Sequence, residues 1–218
     1  MVIILISGYA TSGKDTFGTM LAKYLPHSKI FHFADPIKEC AKIYFNWDGN
    51  KDERGRKLLQ QLGQAGREYD NDIWVKKLLD RIEKDDENIE FIIIPDWRFK
   101  NEFEFMSKQF GNRNVVTVRI KRQVPVISDI SEKDLDDFTH YDFIIDNNSS
   151  LDDLEKQAQL IVPQILKRRY TCKQCKYLFV TYNKEGEKVF LCIFKSIPKI
   201  VSIDYGCKNF DEKTCHSV

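Results

Sequence analysis

The chain has 218 residues, 42% of them hydrophobic, and its 34 Lys and Arg against 33 Asp and Glu leave a net charge of +1. This composition is globular, and with 10 glycines and 6 prolines it excludes a wholly disordered or collagen-like chain. The near-zero charge argues against a protein that coats nucleic acid, and no apolar run reaches the ~20 residues of a membrane helix. The apolar N-terminus lacks the basic start and cleavage site of a signal peptide, so we expect a cytoplasmic chain.

The cysteines divide the chain into two parts. All of them except Cys40 fall after Thr171, in a segment where Lys exceeds Asp and Glu. We therefore place a domain boundary at Arg169 and Tyr170. This gives a body of residues 1–169 and a Cys-rich tail of residues 170–218.

The body alternates predicted strands and helices. The apolar run Val2–Ser7 is typical of a central parallel strand, and the apolar residues of 14–25 recur at the helical period. Further strands are predicted at residues 30–34, 90–95, 115–121 and 143–146. Further helices are predicted at residues 36–45, with Asp35 as N-cap, and at 58–69, 73–83, 100–110 and 151–167. This alternation predicts a three-layer α/β fold, a parallel sheet with helices on both faces, followed by a small Cys-rich β element.

The first predicted strand leads into a candidate phosphate-binding loop, Gly8-Tyr9-Ala10-Thr11-Ser12-Gly13-Lys14-Asp15-Thr16. The G-x-x-x-x-G-K pattern between a strand and a helix is that of a P-loop. Glycines permit positive φ, so successive amides can turn around a phosphate at the N-terminus of the next helix. We expect Lys14 to be an exposed cation that reaches the β- and γ-phosphates of ATP. The motif predicts a P-loop NTPase-type sheet with ATP bound by Gly8, Ser12, Gly13, Lys14, Asp15 and Thr16.

Two carboxylates are candidates for holding Mg²⁺ through water. Asp15 stands where the motif usually has Ser or Thr. Its alternative role is a favourable interaction between an acidic side chain in the first turn and the helix dipole. Thr16 lies ~100° further around the helix and is not expected to point at the metal. Asp96 ends a hydrophobic strand, as a Walker B acid does, and its alternative role is to cap the next helix.

Further stretches, in order along the chain, give it a resemblance to the phage-type deoxynucleoside monophosphate kinases. After G-K-D-T, they lie at residues 33–39, 58–67, 72–75, 95–102, 131–136 and 142–148. The last three are similar to the family's D-x-R-F-x-N-E, S-E-x-x-L-D and D-x-x-I-x-N-N stretches. The resemblance spans about residues 3–165 and implies ATP-dependent, Mg²⁺-assisted phosphorylation of a (deoxy)nucleoside monophosphate. Animal phosphomevalonate kinase has a similar skeleton, so another small phosphorylated acceptor is an alternative.

Transfer between two phosphates needs cations outside the loop. The resemblance implies that Arg67 and Arg98 bind the acceptor phosphate, with Arg98 also at the reacting groups. Lys38 and Asp35 are further acceptor candidates, and Arg122 lies where P-loop kinases carry a lid over ATP. Each of these residues has an ordinary surface or capping role as its alternative.

The tail contains a C-x-x-C pair followed by a predicted hairpin at residues 177–182 and 189–194. Four thiolates could bind Zn²⁺, and we assign Cys172, Cys175, Cys192 and Cys207 to it. Cys215 and His216 are alternatives for the fourth ligand, and free thiols or a redox pair are alternatives to zinc. The kinase resemblance does not extend to this tail.

The expected partners are small nucleotides. No membrane is expected, nucleic acid is disfavoured by the charge, and a homodimer is left open. A nucleotide-dependent binding module that docks a partner through the Cys-rich tail is the alternative to an enzyme. His32 has no partner evident in the sequence and is expected to be structural.

Overall fold

The computed structural model describes residues 1–85, 88–123 and 133–169, together with the backbone of three strands in the tail. Contacts divide the chain into two compact units, Met1–Ala158 and Gln159–Val218. The helix Leu151–Arg169 spans this division, which falls before the predicted boundary at Arg169 and Tyr170.

The first unit contains a parallel sheet in the order β2-β3-β1-β4-β5. Its central strand β1 pairs with β3 on one side and β4 on the other, so that Ile4 lies between Ile93 and Val116. Every residue of β1 and of β3 is buried, as expected for strands covered on both faces. The strands are β1 Val2–Ser7, β2 Ser28–Ile30, β3 Phe91–Ile94, β4 Val115–Lys121 and β5 Phe143–Asp146.

Six α-helices are found among the described residues. They are α1 Lys14–Tyr24, α2 Ala34–Phe45, α3 Glu53–Tyr69, α4 Ile73–Glu83, α5 Lys100–Phe110 and α6 Leu151–Arg169. Within the described part of the chain, no helix has the length and apolar character needed to span a membrane.

Helices cover both faces of the sheet. Ile3 and Leu5 belong to a buried cluster that includes Leu78 of α4 and Met106 of α5. On the other face, a Cβ at Gly18 of α1 would lie 3.3 Å from Ile93 and 3.6 Å from Ile6. Alternate residues of a strand point to opposite faces, so α1 packs opposite α4 and α5. The predicted three-layer α/β fold is confirmed.

The connection from β2 to α2 differs from the prediction. β2 ends at Ile30 rather than at residue 34, and α2 begins at Ala34, so Asp35 lies in its first turn and is not the N-cap. The physical reason is Asp96, whose two carboxylate oxygens accept the N–H groups of Phe33 and Ala34, each at 2.9 Å. Capping from a neighbouring strand end lets the helix start earlier.

The start of α3 also differs, because it begins at Glu53 instead of residue 58. The side chain of Asp52 accepts the N–H of Gly55 at 2.7 Å, which satisfies one of the free donors of the first turn. The prediction therefore missed the first turn of α3, because this turn is polar and shows no apolar period.

The tail contains an antiparallel sheet in the order β6-β7-β8. Its strands are β6 Leu178–Tyr182, β7 Lys188–Cys192 and β8 Lys199–Ile200. Leu178 pairs with Cys192 and Tyr182 with Lys188, so Cys192 ends the second strand of a hairpin. The other predicted zinc ligands, Cys172, Cys175 and Cys207, and their alternatives lie outside the described residues.

Candidate active site

The loop between β1 and α1 has a tightly turned backbone. Gly8 and Gly13 have φ of 153° and 96°, and Thr11 has φ of 62°. A Cβ at Gly8 would lie 2.6 Å from Oγ of Ser12 and 2.7 Å from the carbonyl oxygen of Ile120. Both the conformation and the close approach therefore require glycine, as in a loop shaped for an anion.

Lys14 is only 7% exposed, so the expectation of an exposed cation is wrong. Its Nζ donates to the carbonyl oxygens of Gly8 at 2.6 Å and Tyr9 at 2.8 Å. Attraction between the ammonium group and these carbonyls holds the side chain inside the loop. The charge of Lys14 is thus placed within the curve of the backbone.

Asn147 supports this loop, although the sequence analysis gave it no role. Its Nδ2 donates to the carbonyl oxygen of Ser12 at 2.7 Å, and a Cβ at Gly13 would collide with the same amide group. Asn147 directly follows β5, so the end of that strand braces the loop. The paired Asn147 and Asn148 were the available signal in the sequence.

The hydroxyl of Ser12 is buried and has no hydrogen-bond partner among the described residues. Buried polar groups are nearly always paired, so an orphan hydroxyl in this loop fits a site for an oxygen-rich ligand. Ser12 is thus placed in the loop as the motif predicted.

A chain of charges connects α1 with α2. Nε2 of His32 lies 3.1 Å from Oδ1 of Asp15, and its Nδ1 lies 3.7 Å from Oδ2 of Asp35. Nζ of Lys38 lies 2.8 Å from Oδ1 of Asp35. The structure thereby brings Asp15, a candidate for Mg²⁺, together with Asp35 and Lys38, candidates for the acceptor. His32 joins them, and its partners are not adjacent in the sequence.

The charges in this chain shift one another. Hydrogen bonds to Asp15 and then to Asp35 raise the pKa of His32 to about 9. The hydrogen bond to His32 lowers the pKa of Asp15. Burial opposes ionisation of Asp35, but hydrogen bonds from His32 and Lys38 outweigh it and hold the pKa of Asp35 well below its usual range. At neutral pH, Asp15 and Asp35 are therefore both carboxylates, and a charged imidazolium, His32, joins them.

Asp96 lies just past the carboxyl end of β3, at the edge of the sheet where ligands bind in open α/β folds. Burial raises its pKa, while His32 and the two amides that it accepts act in the other direction. The alternative that Asp96 caps the next helix is wrong, because the helix it caps is α2.

Arg67 contacts the turn before α5, which contains Arg98. Cζ of Arg67 lies 4.2 Å from the centroid of the Phe99 ring. The backbone N–H groups of Arg98 and Phe99 donate to Oε2 of Glu102 at 2.9 and 3.0 Å. Burial raises the pKa of Glu102 to about 8. Arg98 thus belongs to a turn that follows Asp96 closely, and Arg67 of α3 contacts the ring of the next residue in that turn, Phe99.

Arg122 directly follows β4 and contacts the P-loop. Its Nη1 donates to the carbonyl oxygen of Thr11 at 3.4 Å, and it lines a cavity of about 860 Å³ beside the loop. Tyr9 closes part of this cavity, and its hydroxyl donates to Oδ1 of Asp136 at 2.9 Å. Asp136 also lies 3.4 Å from Nη2 of Arg119. The S-E-x-x-L-D stretch therefore supplies a carboxylate that fastens the loop to β4.

Within residues 1–85, 88–123 and 133–169, no group of three His, Cys, Asp or Glu side chains is arranged to hold a metal ion. The predicted zinc ligands lie outside these ranges, and of Cys192 only the strand position is described.

Three comparisons set this site among known proteins. The family model for deoxynucleotide monophosphate kinase matches residues 47–158, just over half of the chain. The matched residues include the turn with Arg98, and Asn147, which braces the loop. The P-loop lies before the matched residues, so it is independent support for the family assignment. No curated protein matches the chain in sequence.

Solved structures similar to the chain include several small kinases. APS kinase CysC from Mycobacterium tuberculosis has 12% identity over 74% of this chain and 94% of that chain, with a TM-score of 0.37. Shikimate kinase from Aquifex aeolicus has 16% identity over 72% and 94%, with a TM-score of 0.40. The tunicamycin resistance protein of Deinococcus radiodurans has 14% identity over 75% and 95%, with a TM-score of 0.44.

The family assignment rests on the sequence match, and the P-loop agrees with it. A parallel sheet that places a P-loop and an arginine-bearing turn at one edge has the architecture of a phosphotransferase. The chain belongs to the deoxynucleotide monophosphate kinase family.

Proposed function

We propose that the chain transfers the γ-phosphoryl group of ATP to a deoxynucleoside monophosphate, with ATP on the P-loop and the acceptor phosphate at Arg67 and Arg98. The observation that carries this proposal is the position of the two parts. The P-loop follows β1 and the arginine turn follows β3, and these strands are neighbours in one parallel sheet. Their carboxyl ends therefore meet at the same edge.

On the ATP side, the loop amides and the N-terminus of α1 would bind the phosphates. Lys14 would move from its loop carbonyls to the β- and γ-phosphates, which attract its charge more strongly. Gly8 and Gly13 keep side chains out of the loop, Ser12 and Thr16 offer hydroxyls, and Arg122 would cover the nucleotide.

On the acceptor side, Arg67 and Arg98 would neutralise the acceptor phosphate, because guanidinium groups match phosphate oxygens in pairs. Asp35 and Lys38 would meet the sugar or base. An acceptor phosphate oxygen attacks the γ-phosphorus in line as the bond to ADP breaks. Positioning and charge neutralisation suffice, so Arg98 and Lys14 act without a covalent intermediate.

Mg²⁺ fits the donor set near the loop. The side chain of Asp15 is 79% exposed, and carboxylate oxygens are ligands that Mg²⁺ prefers, often through water. Asp15 and Asp96 would hold the ion in this way, and the unpaired hydroxyl of Ser12 adds an oxygen to the loop. When bound, the ion neutralises charge on the ATP phosphates.

Zinc in the tail is a separate part of the proposal. The hairpin register supports it, because Cys192 pairs with Leu178, and Cys175 precedes Leu178 by only three residues. A segment of three residues spans at most ~10 Å, so the length of the chain allows Cys175 to reach Cys192. Cys207 would complete a tetrahedral thiolate site.

A coupled assay of ADP release tests the function. The panel contains the deoxynucleoside monophosphates, the ribonucleoside monophosphates and mevalonate 5-phosphate, each with ATP and Mg²⁺. We expect turnover of at least one deoxynucleoside monophosphate. Turnover of mevalonate 5-phosphate alone would favour the other acceptor class. No turnover together with a salt-sensitive gel shift on nucleic acid would favour a binding module.

A further inference from the structure

The guanidinium group of Arg67 lies close to an aromatic ring and to a glycine. The ring is that of Phe99, 4.2 Å from Cζ to the ring centroid. Gly63 lies one turn earlier in α3, and a Cβ there would lie 3.4 Å from both Nη atoms. The ring face attracts the cation, and Gly63 places no side chain against it.

The turn that carries Phe99 is held from two directions. Oε2 of Glu102, a residue only 6% exposed, accepts the N–H groups of Arg98 and Phe99. The indole N–H of Trp97 donates to the carbonyl oxygen of Phe99 at 2.8 Å, and Trp97 is itself buried. The backbone on both sides of the Phe99 ring is therefore fixed to the core.

The same turn is tied to the end of the helix that carries Arg67. Nδ2 of Asn101 donates to the carbonyl oxygen of Asn71 at 2.9 Å and to Oδ1 of Asp72 at 3.0 Å. These residues lie between α3 and α4. Arg67 comes from α3 and Arg98 from the turn before α5, and hydrogen bonds and one ring connect these two segments.

We infer that Phe99 is a positioning residue for the acceptor phosphate: its ring holds Arg67, and Glu102 holds the turn so that Arg67 and Arg98 face one phosphate together. This inference rests on the proposed acceptor roles of these arginines. Phe99 acts through Arg67 and does not itself touch the reacting groups.

The test compares Phe99→Leu, which keeps apolar bulk but removes the ring face, with Phe99→Tyr, which keeps the face. For the deoxynucleoside monophosphate that the parent phosphorylates fastest, Phe99→Leu should raise the acceptor KM by about tenfold. Its KM for ATP should stay within about twofold of the parent, and Phe99→Tyr should match the parent. Phe99 is only half-buried, so Phe99→Leu should stay folded, and Phe99→Met provides a second ring-free variant.

A double-mutant cycle with Arg67→Gln separates the inference from its premise. If Phe99 acts through Arg67, adding Phe99→Leu to Arg67→Gln should raise the acceptor KM no further. Arg67→Gln with a parental acceptor KM would contradict the proposed acceptor site. A raised KM in Arg67→Gln but a parental KM in Phe99→Leu and Phe99→Met would overturn this inference alone. Additive effects, or equal rises in both substrate KM values, would assign Phe99 a merely structural role.

Discussion

Nε2 of His32 lies 3.1 Å from Oδ1 of Asp15, and the same ring faces Asp35 through Nδ1. Asp15 belongs to the first turn of α1 and Asp35 to the first turn of α2. The imidazole therefore links the helix that follows the P-loop to the helix that carries two acceptor candidates. It directly connects the ATP side of the proposed site with the acceptor side.

His32→Gln should change how the stability of the free protein depends on pH. In the parent, the pKa of His32 rises from 6.5 to about 9 on folding. The stability that charged His32 contributes is therefore full below pH 6.5 and is lost as pH rises through 9. The Tm of the parent should fall over this range more steeply than that of His32→Gln, measured without Mg²⁺ or nucleotide. Burial raises the pKa of Glu102 to about 8, so Glu102 also weakens stability as pH rises, and the difference between the two curves is the measure.

His140→Gln is the matched control, because His140 is an exposed histidine outside the charge chain. It should keep the pH dependence of the parent. Equal slopes for the parent and His32→Gln would mean that the contacts with Asp15 and Asp35 do not favour the imidazolium.

Lys14→Met should abolish transfer and leave the protein folded. Methionine keeps the apolar stem that the loop buries but removes the ammonium group, so kcat/KM should fall by about a hundredfold or more. Initial rates and Tm measure the two effects. Lys23→Met, at an exposed position of the same helix, should match the parent. Activity within about tenfold of the parent would contradict the assignment of the phosphate loop.

Arg98→Lys keeps the charge but loses the planar fork of donors. If Arg98 binds the acceptor phosphate with two hydrogen bonds, kcat/KM for the acceptor should fall by about tenfold while the KM for ATP changes little. Rates at varied acceptor and saturating ATP measure this. Arg113→Lys, on an exposed turn, is the control. Parental kinetics in Arg98→Lys would mean that Arg98 is an ordinary surface charge.

Strands made of a continuous apolar run, and helices with a regular apolar face, could be predicted from the sequence. β1, β4, β5, α4 and α5 match their predicted bounds, because a buried strand leaves a continuous apolar run and an amphipathic helix leaves a clear period. The start of α2 could not be predicted from its own residues. Asp96, whose carboxylate caps it, follows another strand and lies 63 residues after Phe33 along the chain. Local sequence carries no trace of such a cap.

The site divides in the same way. The P-loop could be predicted because its function requires a contiguous motif. The contacts of His32 with Asp15 and of Asn147 with Ser12 could not, because these partners lie far apart along the chain and only folding brings them near. The burial of Lys14 was missed for a related reason: a motif gives the residue, but the loop carbonyls that hold its ammonium group become visible only in three dimensions.

Asn147→Leu should weaken ATP binding and stability together. It leaves the carbonyl oxygen of Ser12 without its buried donor, a loss of about 1–3 kcal/mol in the free energy of unfolding. Because the loop that binds ATP loses its brace, the KM for ATP should rise while the acceptor KM stays near that of the parent. Asn112→Leu, at an exposed asparagine, is the control. An unchanged KM for ATP would show that the loop keeps its shape without Asn147.

Cys175→Ser tests the tail. If the tail holds zinc, the purified parent should carry about one Zn²⁺ per chain by elemental analysis, and the variant should lose it. Because metal binding and folding are coupled, the segment after Tyr170 should become sensitive to protease. Cys40→Ser, which changes the cysteine of the body, should keep its zinc.

Phosphotransfer should largely survive in Cys175→Ser, because the P-loop and the arginine turn both lie in the unit Met1–Ala158, which has its own core. The two measurements therefore separate the tail from the chemistry. A metal-free parent whose tail resists protease would mean that apolar packing, and not zinc, stabilises the tail. A Cys175→Ser protein that keeps its zinc but loses transfer would place Cys175 in the reaction instead, since neither metal loss nor unfolding of the tail could then account for the lost activity.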